Sequence, residues 1–240
     1  MAEEKATPPV KDAMVTLHVS DRTQMNAYVA RPSEGDVHPG LLVFQEAFGV
    51  NAHIRDVTRR FAAQGFVAIA PELFHRTAPA GFEGSYSDFA GVMPHMKALT
   101  AEGAIADSEA AFDWLKVQTD VSHGDISSIG YCMGGRISFL ANSALPLKRA
   151  VSYYGGNIAP ALLDRASMLH APMLFFWGGL DKHIPPEQRE QVIDALKQNG
   201  KKYVNVEISD ADHAFFCDAR PAYNPRASQL AWALTLEFLR

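Results

Sequence analysis

The sequence lacks most of the features that mark secreted, membrane-spanning or nucleic-acid-binding proteins. Its 240 residues include two cysteines, too few for a disulfide framework, so we expect free thiols and a cytoplasmic location. No apolar run reaches the roughly 18 residues that a membrane span needs, and we expect no secretory signal in the polar residues 1–10. The net charge of −5 does not favour nucleic acid or an anionic membrane as a partner.

Motifs for cofactors and metals are also missing. The sequence has no Gly-x-x-x-x-Gly-Lys phosphate loop, and the glycine pairs 155–156 and 178–179 open no dinucleotide fingerprint. His213 and Cys217 have a ligand-like spacing, but no second pair of ligand residues lies close to them in sequence. We therefore predict that the protein needs no cofactor and no metal.

The composition that is present fits one globular domain. The sequence is 48% hydrophobic and 20% charged, and its length suits a single α/β domain. We expect a flexible leader over residues 1–13, one domain over residues 14–240, and a monomer or weak homodimer.

Hydrophobic periodicity alternates between strand and helix along the chain. Alternating apolar residues at 15–19 and 25–29 predict an edge hairpin, and later apolar runs are typical of strands buried on both faces of a parallel sheet. The predicted fold is therefore an α/β fold with a mostly parallel, twisted sheet of about eight strands and helices on both faces. The other predicted strands cover 41–44, 66–70, 126–131, 150–154, 173–177 and 203–208; the predicted helices cover 54–62, 88–99, 105–117, 187–198 and 227–239.

The segment Gly130-Tyr131-Cys132-Met133-Gly134-Gly135 joins a predicted strand to a predicted helix. This is the context of a nucleophile elbow, in which glycines permit a sharp turn and the nucleophile has a strained backbone. The following helix has its positive end at the thiol, which favours a thiolate. Cys132 is the predicted nucleophile; the alternative is a buried cysteine with glycines around it by chance.

An acid and a base follow in the order that such an elbow requires. Asp181 comes after the predicted strand 173–177, and His213 comes after the strand 203–208. Because parallel strands end at one edge of a sheet, both side chains are expected beside the elbow. Each could alone be a solvated loop residue, but together they predict a triad in which Asp181 orients His213. The rivals, which strand-end placement disfavours, are Asp210, Asp212 and His183.

An oxyanion hole needs two backbone donors near the nucleophile. Met133 follows Cys132 and supplies one N–H, and Ala47 in the loop after strand 41–44 is the candidate for the other. Glu46 in the same loop could equally be a solvated charge at a strand end.

Taken together, these motifs resemble the dienelactone hydrolase family of the α/β-hydrolase fold. The resemblance runs from about residue 14 to the end of the chain, and a cysteine elbow combined with a Gln-Glu-x-Phe-Gly loop makes it specific. The segments that carry the resemblance are 45–51, 71–74, 130–135, 153–155, 178–181 and 211–215.

The resemblance implies roles for the site residues. It implies a Cys132–Asp181–His213 triad and an oxyanion hole formed by the N–H groups of Met133 and Ala47. In the family, the residue that matches Glu46 pairs with the thiol at rest and helps to activate it when substrate arrives. Glu46 is therefore expected to be a catalytic auxiliary.

Substrate recognition departs from the family pattern. The archetype holds a substrate carboxylate with two arginines; Arg76 matches the first, but Cys217 occupies the position of the second. A serine and a tyrosine of the pattern are replaced by Ala214 and Ala80. The candidates to replace the missing arginine are Arg220 and Tyr86.

Aromatic residues are expected to make the pocket apolar. We predict that substrate contacts Phe48, Tyr86 and Phe215 as well as Arg76, although core packing is the alternative for Tyr153, Phe215 and Phe216. The aromatics on loops at the predicted edge are Phe48, Tyr86, Phe89, Tyr153, Phe215, Phe216 and Tyr223.

The sequence thus predicts a hydrolase that cleaves a small ester or lactone through a thioester acyl-enzyme. One alternative keeps the triad and gives a carboxylesterase or thioesterase of broad specificity, as the missing arginine suggests. Another is a redox or ligand-sensing protein that uses Cys132 without turnover; no resolving cysteine is obvious for this role, and Cys217 is the only candidate.

Overall fold

The structure is a computed structural model that describes residues 9–35 and 37–240. Strands and helices alternate along most of this chain, as the change of apolar period predicts. The strands are β1 (Val10–His18), β2 (Gln24–Pro32), β3 (His38–Phe44), β4 (Val67–Pro71), β5 (Val121–Tyr131), β6 (Ala150–Tyr153), β7 (Met173–Gly178) and β8 (Tyr203–Ile208). The helices are α1 (Ala52–Ala63), α2 (Phe89–Ala98), α3 (Ala101–Lys116), α4 (Met133–Ala144), α5 (Pro186–Gln198) and α6 (Pro225–Leu239), with a short 3₁₀ helix at Leu163–Met168.

The eight strands form one sheet in the order β1-β2-β4-β3-β5-β6-β7-β8. β2 is antiparallel to both β1 and β4, and all the other pairs are parallel. The predicted class, a mostly parallel sheet of about eight strands with an antiparallel hairpin at its edge, is confirmed.

The hairpin begins earlier than the sequence pattern predicts. β1 starts at Val10, whose register partner is Pro32 of β2. Residues 10–13 therefore belong to the sheet, which corrects the predicted leader of 1–13; residues 1–8 lie outside the described part. The alternation is hard to recognise here because the side chains of residues 11–14 are all exposed.

The central strands are buried because helices cover both faces of the sheet. Helix α1 begins where the Asn51 side chain accepts a hydrogen bond from the N–H of Ile54, and it turns its apolar side to the sheet. α6 lies on the same side as α1, since the rings of Phe61 and Trp232 have centroids 4.6 Å apart. Right-handed crossovers place α3, α4 and α5 on the opposite face.

The chain reverses its direction of travel across the sheet at β3. From β3 it moves to β4 on one side, then returns across β3 to β5 and continues to β8. The loops that follow β3 and β5 therefore diverge, and a crevice opens between them at the carboxyl edge of the sheet. This crevice is where the sequence places its candidate site.

Two further elements begin four or five residues before their predicted starts. α3 begins at Ala101 rather than at residue 105, because the Thr100 side chain caps the helix by accepting the N–H of Gly103. β5 begins at Val121 rather than at residue 126. Within the described ranges, no helix combines the length and the hydropathy needed to cross a membrane.

Candidate active site

Cys132 lies at a sharp turn between β5 and α4, with φ 54° and ψ −117°. A positive φ is costly for a residue with a side chain, by about 1–3 kcal/mol. Two glycines leave room for this turn: a Cβ on Gly130 would stand 1.8 Å from the carbonyl oxygen of Gly134, and one on Gly134 would stand 2.3 Å from that of Phe44. The N–H of Cys132 donates to the carbonyl of Tyr153 at 3.0 Å, which holds the turn against β6.

His213 and Asp181 form a hydrogen-bonded pair beside this turn. Nδ1 of His213 lies 2.7 Å from Oδ2 of Asp181, and the two side chains are 11% and 1% exposed. The other oxygen, Oδ1, accepts the N–H of His183 at 2.8 Å. With Nδ1 engaged, Nε2 of His213 is left for Cys132, whose side chain lies near enough to raise the pKa of this imidazole.

The electrostatics of this pair favour a protonated imidazole. Burial opposes protonation of His213, but the adjacent Cys132 thiolate and the Asp181 carboxylate outweigh it and raise the pKa of His213 to about 10. Burial acts to raise the pKa of Asp181, whereas the hydrogen bond and charge of His213 lower it, with a net shift below its ordinary value. The arrangement is therefore suited to holding an imidazolium between a thiolate and a carboxylate.

Ala47 and Met133, the predicted oxyanion donors, line the same cavity as Cys132. Met133 is the first residue of α4, where the helix offers no acceptor for the N–H. The loop that carries Ala47 is braced by Gln45, whose side-chain oxygen accepts the N–H of Leu73 at 3.1 Å. Their positions suit the predicted role, which stays a prediction.

The cavity above the elbow has a volume of about 430 Å³. Phe48 and Tyr86, both predicted to contact substrate, form part of its wall, with ring centroids 4.7 Å apart in an edge-on contact. The guanidinium carbon of Arg220 lies 5.5 Å from the ring centre of Phe48 and 5.8 Å from that of Tyr86. Arg220 thus brings a positive charge to an otherwise aromatic wall.

Arg76 lies outside this cavity, which corrects its predicted contact with substrate. Its guanidinium donates to the two oxygens of Asp107 at 2.9 and 2.8 Å and to Asp21 at 2.7 Å. Asp107 is fully buried in α3, and a buried carboxylate needs such compensation. Arg76 is therefore a structural residue that ties α3 to the segment after β4 and to the turn of the hairpin.

Phe215 also lies away from the cavity. Its side chain is fully buried and packs against the rings of Tyr153 and Tyr154, with centroids 6.1 and 5.3 Å away. The core-packing alternative is therefore correct for Phe215, and the prediction that it contacts substrate is wrong.

Glu46 is fully buried, but it is not paired with the catalytic thiol as the resemblance implies. Neither of its carboxylate oxygens has a hydrogen-bond partner among the described residues. Its carboxylate instead lies close to the side chains of His53 and Cys217. The expected resting hydrogen bond between the Cys132 thiol and the Glu46 carboxylate is therefore absent among the described residues.

Two residues of the site were not recognised in the sequence. Arg136 lines the cavity one helical turn after Cys132, and its buried Nε has no partner among the described residues. Tyr154 follows β6 and has a φ of 38°. Its pKa is raised well above the ordinary value, first by burial and then by the charges of Glu46, Cys217, Tyr131 and Cys132. The spacing of four residues from Cys132 was a usable signal for Arg136, since such residues share a helix face.

Comparison with known proteins identifies the family of this chain. The sequence model of the dienelactone hydrolase family matches residues 25–240. A protein of Escherichia coli O157:H7 named "Putative carboxymethylenebutenolidase" is 37% identical over 95% of this chain and 88% of its own length. The carboxymethylenebutenolidase of Pseudomonas putida is 29% identical over 94% of each chain.

Solved structures share the whole architecture. A crystal structure from Klebsiella pneumoniae subsp. pneumoniae MGH 78578, described as a "Putative Dienelactone Hydrolase", superposes with a TM-score of 0.88 at 30% identity, covering 96% of this chain and 98% of the other. The fold, the order of the site residues and the family match point to one conclusion. The chain belongs to the dienelactone hydrolase family, a family of hydrolases with the α/β-hydrolase fold.

Proposed function

We propose that this protein hydrolyses a small ester or lactone by transferring its acyl group to Cys132. The main support is the 2.7 Å contact between His213 and Asp181 beside the positive-φ Cys132. A nucleophile, a base and a residue that orients the base are the components of covalent acyl transfer. The names of the relatives indicate a lactone as the substrate class.

In the first half of the reaction, Sγ of Cys132 attacks the carbonyl carbon and the carbonyl π electrons move onto oxygen. The N–H groups of Met133 and Ala47 stabilise this negative charge. The tetrahedral intermediate collapses, the carbon–oxygen bond of the ester breaks, and the leaving alkoxide takes a proton from His213. A lactone opens at this step, so its alcohol end remains attached through the thioester.

In the second half, acylation itself prepares His213 to act as a base. The sulfur of a thioester carries no charge, so the Cys132 contribution that raises the pKa of His213 is lost. A neutral imidazole then removes a proton from water, and the resulting hydroxide attacks the thioester carbonyl. The protonated His213 returns that proton to the departing Cys132, which completes the cycle.

Glu46 belongs to the proposal as a catalytic auxiliary. Burial raises the pKa of the Tyr154 hydroxyl, and the charges of Glu46 and Cys132 raise it further. The Glu46 carboxylate and the Cys132 sulfur thus both influence the same hydroxyl. In the resting enzyme the Cys132 side chain rotates away from His213 and donates its thiol hydrogen to the Glu46 carboxylate. Substrate binding would then return the thiol to His213.

Two arginines at the cavity favour a substrate that carries a carboxylate. Arg136 and Arg220 both line the cavity, whereas Arg76 is committed to Asp107 and Asp21. The second candidate function is a carboxylesterase or thioesterase that takes neutral substrates. The aromatic wall formed by Phe48 and Tyr86 favours this alternative.

The test compares steady-state turnover of p-nitrophenyl acetate with that of a dienelactone that bears a carboxylate. Cys132→Ala should abolish turnover of both while leaving the circular dichroism spectrum of the folded protein unchanged. Arg220→Gln should raise KM for the dienelactone by about tenfold to a hundredfold, the effect of losing a hydrogen bond to a charged group, and should spare the neutral ester. Arg76→Gln is the matched control, with KM unchanged.

The outcomes separate the candidates. A substantial rate in Cys132→Ala would refute the acyl-transfer mechanism. Turnover that depends on Cys132 but is confined to the neutral ester would refute the carboxylate substrate and leave the broader esterase.

The proposal places the enzyme in the cytoplasm as a monomer or weak homodimer. Its two cysteines are free thiols, which a reducing compartment preserves. Light scattering coupled to size-exclusion chromatography over a range of protein concentrations tests the oligomeric state.

A further inference from the structure

Behind the cavity wall lies a compact group of three metal-ligating side chains. One carboxylate oxygen of Glu46, one ring nitrogen of His53 and the sulfur of Cys217 all lie within 4.8 Å of one another. Among the described residues this is the one group of three or more such side chains that meets this distance. The three residues come from the loop after β3, the first turn of α1 and the loop after β8.

The polar atoms of this group are buried without the partners that burial normally requires. Glu46 and Cys217 are fully buried and His53 is 5% exposed. Both oxygens of Glu46 and Nε2 of His53 have no hydrogen-bond partner among the described residues. Buried polar groups of native proteins nearly always have a partner, and a buried carboxylate needs one most. The group is therefore arranged to receive a positively charged ligand.

The orientation of His53 supports a cation as that ligand. Its Nδ1 lies 3.3 Å from Oδ1 of Asp218, and Oδ2 of Asp218 accepts a hydrogen bond from Arg60 at 3.0 Å. A proton on Nδ1 shared with Asp218 leaves the lone pair of the buried Nε2, which has no partner among the described residues, available to a ligand. Histidines that bind metals are oriented in the same way, by a carboxylate on the second nitrogen.

We propose that Glu46, His53 and Cys217 form a binding site for one thiophilic divalent cation of the Zn²⁺ class. Thiolate sulfur, imidazole nitrogen and carboxylate oxygen are together the ligand set of Zn²⁺, whereas Ca²⁺ and Mg²⁺ take oxygen ligands. The Cys217 thiol gives its proton to solvent when the sulfur–metal bond forms. A fourth coordination position is left for water, next to the Tyr86 hydroxyl, which lies 3.4 Å from the sulfur.

Tyr86 places this site in communication with the cavity. Its ring lines the cavity, while its hydroxyl contacts Cys217 and accepts a hydrogen bond from Asn51 at 2.9 Å. A cation reaches the site when this ring moves aside. The consequence for catalysis rests on the proposed function: a metal bound to Glu46 withdraws the auxiliary carboxylate and slows hydrolysis, and a chelator restores the rate.

Metal binding is measured directly, without turnover. The purified enzyme is stripped with a chelator and titrated with Zn²⁺ in competition with a chromophoric chelator, and Co²⁺ is used to detect a thiolate-to-metal charge-transfer band. We expect one Zn²⁺ per chain. Cys217→Ser should remove the charge-transfer band and weaken Zn²⁺ binding at least tenfold, and Cys132→Ser is the matched control that keeps both.

A second variant covers the event that Cys217→Ser does not fold. Asp218→Asn leaves all three ligands in place but alters the orientation of His53, and it should weaken binding by about tenfold to a hundredfold. Loss of the band in Cys132→Ser, with its retention in Cys217→Ser, would place the metal at the catalytic thiol and overturn the proposal. The proposal would also be overturned if the wild-type enzyme and the Cys217→Ser and Asp218→Asn variants all had the same affinity for Zn²⁺.

Activity then separates this inference from the proposed function. Inhibition by Zn²⁺ that Cys217→Ser abolishes supports both the site and the auxiliary role of Glu46. Zn²⁺ bound at the site with turnover unchanged supports the site and counts against Glu46 as an auxiliary.

Discussion

The two cysteines of this protein have the same kinds of neighbour and different properties. Cys132 lies beside His213, whose other nitrogen is 2.7 Å from Asp181. Cys217 lies near His53, whose other nitrogen is 3.3 Å from Asp218. A search for a cysteine, a histidine and an aspartate in proximity would find both groups.

Backbone placement and access distinguish them. Cys132 has a positive φ at a strand–helix turn and lines the cavity, whereas Cys217 is fully buried in the loop after β8. Burial, and then the charge of Glu46, raise the pKa of the Cys217 thiol to about 12. The same residue types therefore suit a nucleophile in one place and an unreactive thiol or metal ligand in the other.

The largest expected effect is the change in kcat/KM when each of the two thiols is removed. Cys132→Ala should lower kcat/KM by about 10⁴- to 10⁶-fold, as loss of a covalent nucleophile does. Cys217→Ala should cause a far smaller loss, because this thiol lies outside the cavity. Steady-state assays of both variants in chelator-treated buffer measure the difference, and equal losses would show that the two thiols do not differ in their role in turnover.

The two aspartates come next. Asp181→Asn should lower kcat by about 10⁴-fold, because an amide at this position favours the wrong tautomer of His213. Asp218→Asn acts on His53, away from the reacting atoms, and serves as the matched control. Kinetic assays and circular dichroism of both variants test this. A comparable loss of kcat in Asp218→Asn would show that the group of Glu46, His53 and Cys217 takes part in turnover.

The close packing beneath Cys132 predicts an effect on stability. In Gly130→Ala the new methyl group would lie 1.8 Å from the Gly134 carbonyl oxygen, so the backbone must shift. We expect a loss of about 3 kcal/mol, which lowers the unfolding midpoint by roughly 6–12 °C in a protein of this size. Gly156→Ala is the control, since its methyl would meet Ile184 at 3.7 Å, an ordinary contact. Equal midpoints for the two variants would contradict the packing argument.

The smallest effect is on the titration of His213. Its pKa of about 10 depends on Cys132 and Asp181, which outweigh burial. Alkylating Cys132 with iodoacetamide leaves a neutral thioether, so the pKa should fall by more than about one unit, or 1.36 kcal/mol per unit. The stability that protonated His213 provides is complete below pH about 6.5 and is lost as the pH rises through the pKa of His213 in the folded protein. Because alkylation lowers that pKa, the loss of stability should occur at lower pH. NMR titration of the imidazole measures it, and an unchanged pKa would remove the thiolate from the explanation.

Much of this architecture could be predicted because its signals are local. Apolar runs bounded by glycines mark the parallel strands, and parallel strands bring their carboxyl ends to one edge of the sheet. The elbow glycines and the order of Cys132, Asp181 and His213 therefore sufficed to assemble the candidate site without any contact information.

The remaining features depend on contacts between distant parts of the chain. Arg76 is removed from the site by Asp21 and Asp107, and no local pattern reveals that these two carboxylates meet it. The approach of His53 to Cys217 depends on α1 and the loop after β8 lying side by side. The residues that contact Arg76 and Cys217 therefore do not follow from residue type or periodicity.

β8 forms one edge of the sheet, and half of its side chains are exposed. The loop that carries the proposed base begins at the end of this strand, whereas the elbow and the oxyanion loop follow strands at the centre. Edge strands open locally at lower free-energy cost than the strands between them. On heating, the enzyme should therefore inactivate reversibly several degrees before its circular dichroism changes, because His213 departs while the core is still folded.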